Sequence, residues 1–245
     1  MTTVENEALA AQWAAWHAER EDALRDPHGW LGITALHWLD ETPRSFPDVP
    51  GEWSTDGVSA RNGTAEYTLA EAASTLVDGA DGVKVEVVLR TGRYGLRVRD
   101  PKAEDLVGFT GVPAFDVRPE WIVDAEFEAF DEPRPIVVGA ARDGLEHHLQ
   151  AVGIARFEVA GEPQQLLVHA SGDGVQVLFH DATNGDTTAP WRSLSPAGPQ
   201  NGRLRLDFNR SVNLPAGLTP YGTCPRPPAE NVLTVPVEAG ERRFR

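Results

Sequence analysis

The chain has 245 residues, with 22 Lys plus Arg against 37 Asp plus Glu and a formal net charge of -15. A field of that sign repels phosphate backbones and anionic headgroups, which sets nucleic acid and membrane surfaces aside as partners. With 41% hydrophobic and 24% charged residues the composition is that of a globular chain, long enough to bury a core without metal or disulfide.

Leu9, Trp13, Trp16 and Leu24 recur at roughly helical spacing, so residues 5–25 are expected to form an amphipathic helix. The acid-rich start has no basic segment followed by an apolar run, and no stretch of about 18 apolar residues occurs. Asp26-Pro27-His28-Gly29 breaks the helix, and the apolar stretch Trp30 to Leu39 is read as a short second helix. Pro43, Pro47 and Pro50 make a connector.

From Gly51 to about residue 100, short apolar runs alternate with Gly, Asp and Asn, a strand-and-turn texture. In Val83–Arg90, Val83, Val85, Val87 and Leu89 share one face; Thr91–Gly95 turns the chain and Leu96–Arg99 returns. Residues 101–114 show no strong period and read as a linker. In the second β segment, Gln165–Ala170 and Val175–His180 form a hairpin about Ser171-Gly172-Asp173-Gly174. Leu166, Val168 and Ala170 face Val175, Val177 and Phe179 whether its loop has two or four residues. Arg203–Phe208 and Val232–Val237 complete the strands, Pro236 suiting an edge.

About twenty residues between Phe208 and Asn231 have neither period. Long structureless loops inside compact domains are functional or disordered, and this one has few charges, several prolines, Tyr221 and Cys224. It is read as an ordered loop packed over the opening of a β domain.

Several strings here carry a family resemblance: Asp207-Phe208-Asn209-Arg210, Asn213, Thr219-Pro220-Tyr221, Thr223-Cys224-Pro225, Pro227-Pro228, Glu230-Asn231 and Ala239-Gly240-Glu241. Together they resemble the C-terminal signature of an uncharacterised prokaryotic family, domain of unknown function 1684. Asp181-Ala182-Thr183-Asn184-Gly185, with Thr188 and Arg192, is similar to its second signature, and His28-Gly29-Trp30-Leu31 and Leu36-His37-Trp38-Leu39 resemble its longer members. The resemblance implies no assigned activity. This chain has Ala216 where the family often has a cysteine, so no paired-thiol role can operate and Cys224, the single cysteine, acts alone.

Candidate chemistry is sparse. Cys224 lacks any local signature of a catalytic nucleophile and reads as a small buried hydrophobe. His169 and His180 share a hairpin face, but no HxxxH, HExxH or CxxC spacing exists, so no metal or cofactor is expected. Arg90, Arg93, Arg97 and Arg99 read as a solvated strip balanced by acids, and the tryptophans as packing between helices and β core. No GxSxG, Walker or GxGxxG motif occurs.

The expected architecture is mainly antiparallel β: a helical arm (1–45), a small β subdomain (46–100) and a C-terminal barrel or curled sandwich (105–245). A cytoplasmic, bacterial small-ligand-binding domain is expected, its pocket beneath the 209–230 loop. Asp181, Thr183, Arg192, Asn209, Arg210 and Asn213 are the candidate ligand contacts, with an anionic small molecule allowed by the arginines. The same groups can instead tie down the irregular loop. A hydrolase using Asp181 or Asp207 as base and a partner-binding scaffold are the alternatives.

Overall fold

A computed structural model describes residues 3–244. Strands occupy 45% of the chain, every ladder is antiparallel, and two compact units share it. The smaller comprises residues 20–110 with 219–221; the larger comprises the rest. No helix among the described residues is long and apolar enough to cross a membrane.

Helix α1 (Thr3–Leu24) matches the expected N-terminal helix. Its residues 3–19 belong to the larger unit and 20–24 to the smaller. The expected second helix is corrected: Trp30–Gly32 makes a single 3-10 turn, and β1 (Ile33–Trp38) follows as a strand. An apolar run of ten residues suits either state; here the ladder with β8 described below decides it.

In the smaller unit, β2 (Arg44–Phe46), β3 (Val49–Thr55), β4 (Ala60–Asn62) and β5 (Ala65–Tyr67) form one sheet in chain order. Strands β6 (Ser74–Asp78), β7 (Lys84–Arg90) and β8 (Arg93–Arg99) join β1 in a second, of order β1-β8-β7-β6. The expected hairpin is present with a tighter turn, Thr91-Gly92, both residues at positive φ (52° and 68°). Val85, Val87, Leu89, Tyr94, Leu96 and Val98 project from one side of β7–β8 into a core shared with Val49, Trp53 and Ala60 of the other sheet. A four-residue helix, α2 (Glu104–Val107), lies in the expected linker.

The opposite side of β7–β8 corrects the reading of a solvated basic strip. Arg97 is 1% exposed and Arg99 8%. Both reach Glu86, from Arg99 Nη2 at 2.6 Å and Arg97 Nη1 at 3.4 Å. The Trp30 ring lies 5.2 and 5.3 Å from the two guanidinium carbons. Arg99 also donates to the carbonyls of His28 and Gly29, pinning the chain after α1.

The larger unit holds one seven-stranded sheet: β9 (Ile122–Gly139), β10 (Glu146–Val159), β11 (Glu162–Ser171), β12 (Gly174–Phe179), β13 (Arg192–Leu194), β14 (Arg203–Asp207) and β15 (Val212–Asn213). Its order is β14-β9-β10-β11-β12-β13-β15. The edge strands β14 and β15 are consecutive in the chain, joined through 208–211, so the sheet curls until its edges meet at one end. No ladder joins them among the described residues, so it is not a closed barrel. Its inner face is one cluster, with Phe127, Phe157, Leu166, Val168, Val177, Phe179, Leu194, Leu204, Leu206 and Phe208 at its centre.

The β11–β12 hairpin has a two-residue turn, with His169 opposite Gln176. His180 lies four positions beyond Gln176, so the two histidines do not converge. The expected strand Val232–Val237 is corrected to a single bridge, Val232 to His180. Leu233, Val235 and Val237 still point into the core, but two backbone groups of the run bond side chains: Thr234 N–H donates to Gln164 Oε1 and Val237 N–H to Asp181 Oδ1.

Glu86 supplies a test in the smaller unit. Burial alone would raise its carboxyl pKa; the charges of Arg99 and Arg97, with hydrogen bonds from Arg99 and Ser74, more than reverse this and hold it below the usual range. Its folded form thus binds fewer protons than its unfolded form below about pH 4.3, so its contribution is complete above that value and is lost as pH falls through the depressed pKa. Glu86→Gln should cost about 3 kcal/mol at pH 7, because two buried cations lose their counter-charge. Its urea midpoint should then fall less between pH 5 and 3 than that of the wild type.

Candidate functional site

The polar residues singled out by sequence fall into three places. Asp181, Thr183 and Arg192 converge at the far end of the β12–β13 connection, all buried, and Arg192 is 0% exposed. Arg192 Nη2 lies 2.8 Å from Asp181 Oδ2 and donates to the Val237 carbonyl at 2.8 Å; Nη1 donates to the Ala239 carbonyl. The guanidinium carbon sits 5.4 Å from the Phe179 ring centre. Asp181 Oδ1 accepts from the Thr183 N–H, the Thr183 hydroxyl and the Val237 N–H. Thr183 and Thr188 bond each other at 2.8 Å. Burial lowers the Arg192 pKa against the pull of Asp181 and Glu241, and the guanidinium remains charged at neutral pH.

Asn213, facing Arg192 in the β13–β15 ladder, takes its place in the same structure. Its N–H donates to Glu241 Oε2 at 2.6 Å and its Nδ2 to the Arg242 carbonyl. Glu241 is fully buried, and the sequence reading gave it no site role. Gly240 permits this approach: at φ 75°, a Cβ there would stand 2.5 Å from the Ser211 carbonyl oxygen.

Asn209 lies apart from that cluster. Its carboxamide accepts from the Arg118 N–H and donates to the Arg118 carbonyl, each at 3.0 Å, the pattern of a ladder pair. Its own carbonyl accepts from Trp13 Nε1. Asn231 does the same for β11: Oδ1 accepts from Leu167 N–H while Nδ2 donates to the carbonyls of Leu167 and Leu178. It therefore fills the gap where β11 and β12 diverge. Arg210 is the partly exposed member of the set, 3.5 Å from Asp207 and 5.5 Å from the Trp16 ring centre.

Each of these side chains, Arg210 excepted, hydrogen-bonds within the protein, which favours the tie-down role over ligand contact. Asp181 faces no solvent, and Asp207 caps Asn209. Residues 214–216 and Cys224 lie on the outer face of the sheet, not over an opening. Leu214, Ala216 and Cys224 pack there against Leu149, Leu178 and Trp191, and Cys224 is a buried small hydrophobe.

The hollow lies further along that outer face, where the loop has passed on to 226–230. A cleft of about 270 Å³ is lined by Phe130, Arg134, Ile136, Ala151, Ile154, Gln165, Leu167 and Glu230. A neighbouring groove of about 510 Å³ shares Ile136, Leu167 and Glu230 and runs beside Arg226–Ala229. The cleft originates in a bulge: Arg134 pairs with Ala151 and Ala129 with Gly153, so four residues of β9 (130–133) oppose Val152 alone. Gly153 allows β9 to come close, since a Cβ there would stand 2.5 Å from the Glu128 carbonyl. Arg134 lies over the Phe130 ring at 3.7 Å. Beyond Leu167 on the same face, His169 is 2% exposed, and burial lowers its pKa although Gln176 opposes this, so its imidazole is neutral at pH 7. Its Nδ1 finds no partner among the described residues.

A family model described as "Protein of unknown function (DUF1684)" matches residues 107–242. The chain belongs to that family. The DUF1684 segment contains the whole seven-stranded sheet, the Arg192 cluster and the cleft. An uncharacterized protein of Haloarcula marismortui, solved by solution NMR, is similar at 26% identity over 57% of this chain and 80% of its own, with a TM-score of 0.48. A comparison with curated proteins gives no match.

Arg192→Met would leave Asp181 charged in a closed interior. It should cost about 3–5 kcal/mol in urea unfolding, and adding Asp181→Leu should recover much of it. A loss below about 1 kcal/mol, the value of an exposed pair, would contradict the buried tie.

Proposed function

We propose that the protein is a small-ligand-binding β domain whose pocket is the cleft bounded by β9, β10, β11 and the 226–230 end of the C-terminal loop. This cleft touches the loop only at its 226–230 end rather than lying beneath the whole of 209–230, and its lining differs from the expected contacts, since the Asp181, Thr183, Arg192, Asn209 and Asn213 side chains hydrogen-bond within the protein. The curled sheet, with β14 and β15 joined through 208–211, supports describing the larger unit as a partly open barrel.

The observation that carries the reading is the contrast along one sheet face. Half of it is covered by Leu214, Ala216 and Cys224; the other half leaves Phe130, Ile136, Ile154 and Leu167 around a concave space. An apolar floor with a few convergent polar groups is the usual make-up of a small-molecule site. Arg134, Gln165 and Glu230 are those groups here. At about 270 Å³ the cleft is at the small end of such sites, suiting a ligand with one ring or a short branched chain.

Benzyl alcohol, a neutral probe of that size, should cause saturable NMR shifts confined to Phe130, Ile136, Ile154 and Leu167. Leu167→Glu, at a half-buried position, should abolish them while changing the unfolding midpoint little. Shifts scattered over the surface, or unchanged in the variant, would contradict the assignment.

A further inference from the structure

The cleft carries two opposite charges that do not satisfy each other. Arg134 and Glu230 both line it, yet neither forms an ion pair within 4 Å with any carboxylate or cation among the described residues. Arg118, Arg156, Arg192, Arg203, Arg210 and Arg226 of the same unit, by contrast, each lie within 4 Å of an acid. Arg134 instead stacks on Phe130, a lining residue, which fixes its guanidinium at the wall of the apolar space.

We propose that the ligand is a small apolar zwitterion, a free amino acid with an aromatic or branched side chain or a compound of the same charge pattern. The inference rests on the cleft being a ligand site. Its carboxylate would meet the Arg134 fork, its ammonium Glu230, and its apolar side chain the floor of Ile136, Ile154 and Leu167. Gln165 presents both a donor and an acceptor and serves either pole. The charge pattern also discriminates. A simple carboxylate gains Arg134 but is repelled by Glu230 and by a protein of formal charge -15; a simple amine gains Glu230 but is repelled by Arg134. A molecule carrying both poles gains twice and is repelled by neither.

Four probes with the same phenyl body separate the terms: L-phenylalanine, phenylacetate, 2-phenylethylamine and benzyl alcohol, each titrated by NMR and calorimetry. Both charged groups are solvent-facing, so each contact should be worth roughly two- to fivefold in affinity. L-phenylalanine should therefore bind tightest, about four- to twenty-fivefold tighter than benzyl alcohol if the two contacts add. Arg134→Gln should remove the advantage of the carboxylate and Glu230→Gln that of the ammonium, each read as a ratio to benzyl alcohol binding by the same variant. If benzyl alcohol binds in the cleft but L-phenylalanine is no tighter than phenylacetate or 2-phenylethylamine, the zwitterion assignment is overturned and the cleft stands. If none of the four gives saturable shifts at Phe130, Ile154 and Leu167, both are overturned.

Discussion

A guanidinium group closed off from water organises the larger unit. Arg192 cannot be neutralised at any ordinary pH, so its burial at 0% exposure obliges the chain to bring it acceptors. It takes one carboxylate from the turn after β12 and two carbonyls, those of Val237 and Ala239, from a run with no ladder of its own. The same requirement draws in Glu241, which then receives the Asn213 N–H. One buried charge thereby fixes β13, β15, the 181–188 turn and the C-terminal run as a set, and brings the open edge of the sheet round toward β14.

Asparagine carboxamides continue this by standing in for peptide groups. A carboxamide has the donor and acceptor of a backbone unit at similar spacing, so Asn209 can pair with Arg118, and Asn231 with Leu167 and Leu178, as a strand would. The sheet can then splay between β11 and β12 without orphaned backbone groups. This splay and the β9 bulge leave the outer face divided, one part sealed by Leu214 and Cys224 and the other open as the cleft. The polar cluster therefore supports the cleft, and the apolar strands line it.

The sequence revealed alternation better than partnership. Leu166 and Val168 against Val177 and Phe179, or Val85 and Val87, are buried as their period of two requires. Leu233, Val235 and Val237 obey it too, yet their run is no strand, because its hydrogen-bond partners are the side chains of Gln164 and Asp181, more than fifty residues away. Trp30 to Leu39 has no caps and includes Ile33 and Thr34; pairing with β8, sixty residues on, decided its state. Among the site residues, the convergence of Asp181, Thr183 and Arg192 was legible from residue type, but not its burial, which depends on what covers it. The cleft was missed although a signal existed. Leu166-Leu167-Val168 and Ile136-Val137-Val138 are apolar at successive positions, which makes both faces of those strands apolar and calls for a cover or a ligand on the outer one.

Native-state hydrogen exchange on the wild-type protein tests most directly the claim that buried side chains replace a missing ladder. The amides of Asn213, Thr234 and Val237, bonded to Glu241, Gln164 and Asp181, are predicted to exchange only through global unfolding, as slowly as those of Leu166 and Ile154. Exchange at the rate of an exposed turn, with the strands still protected, would contradict the account.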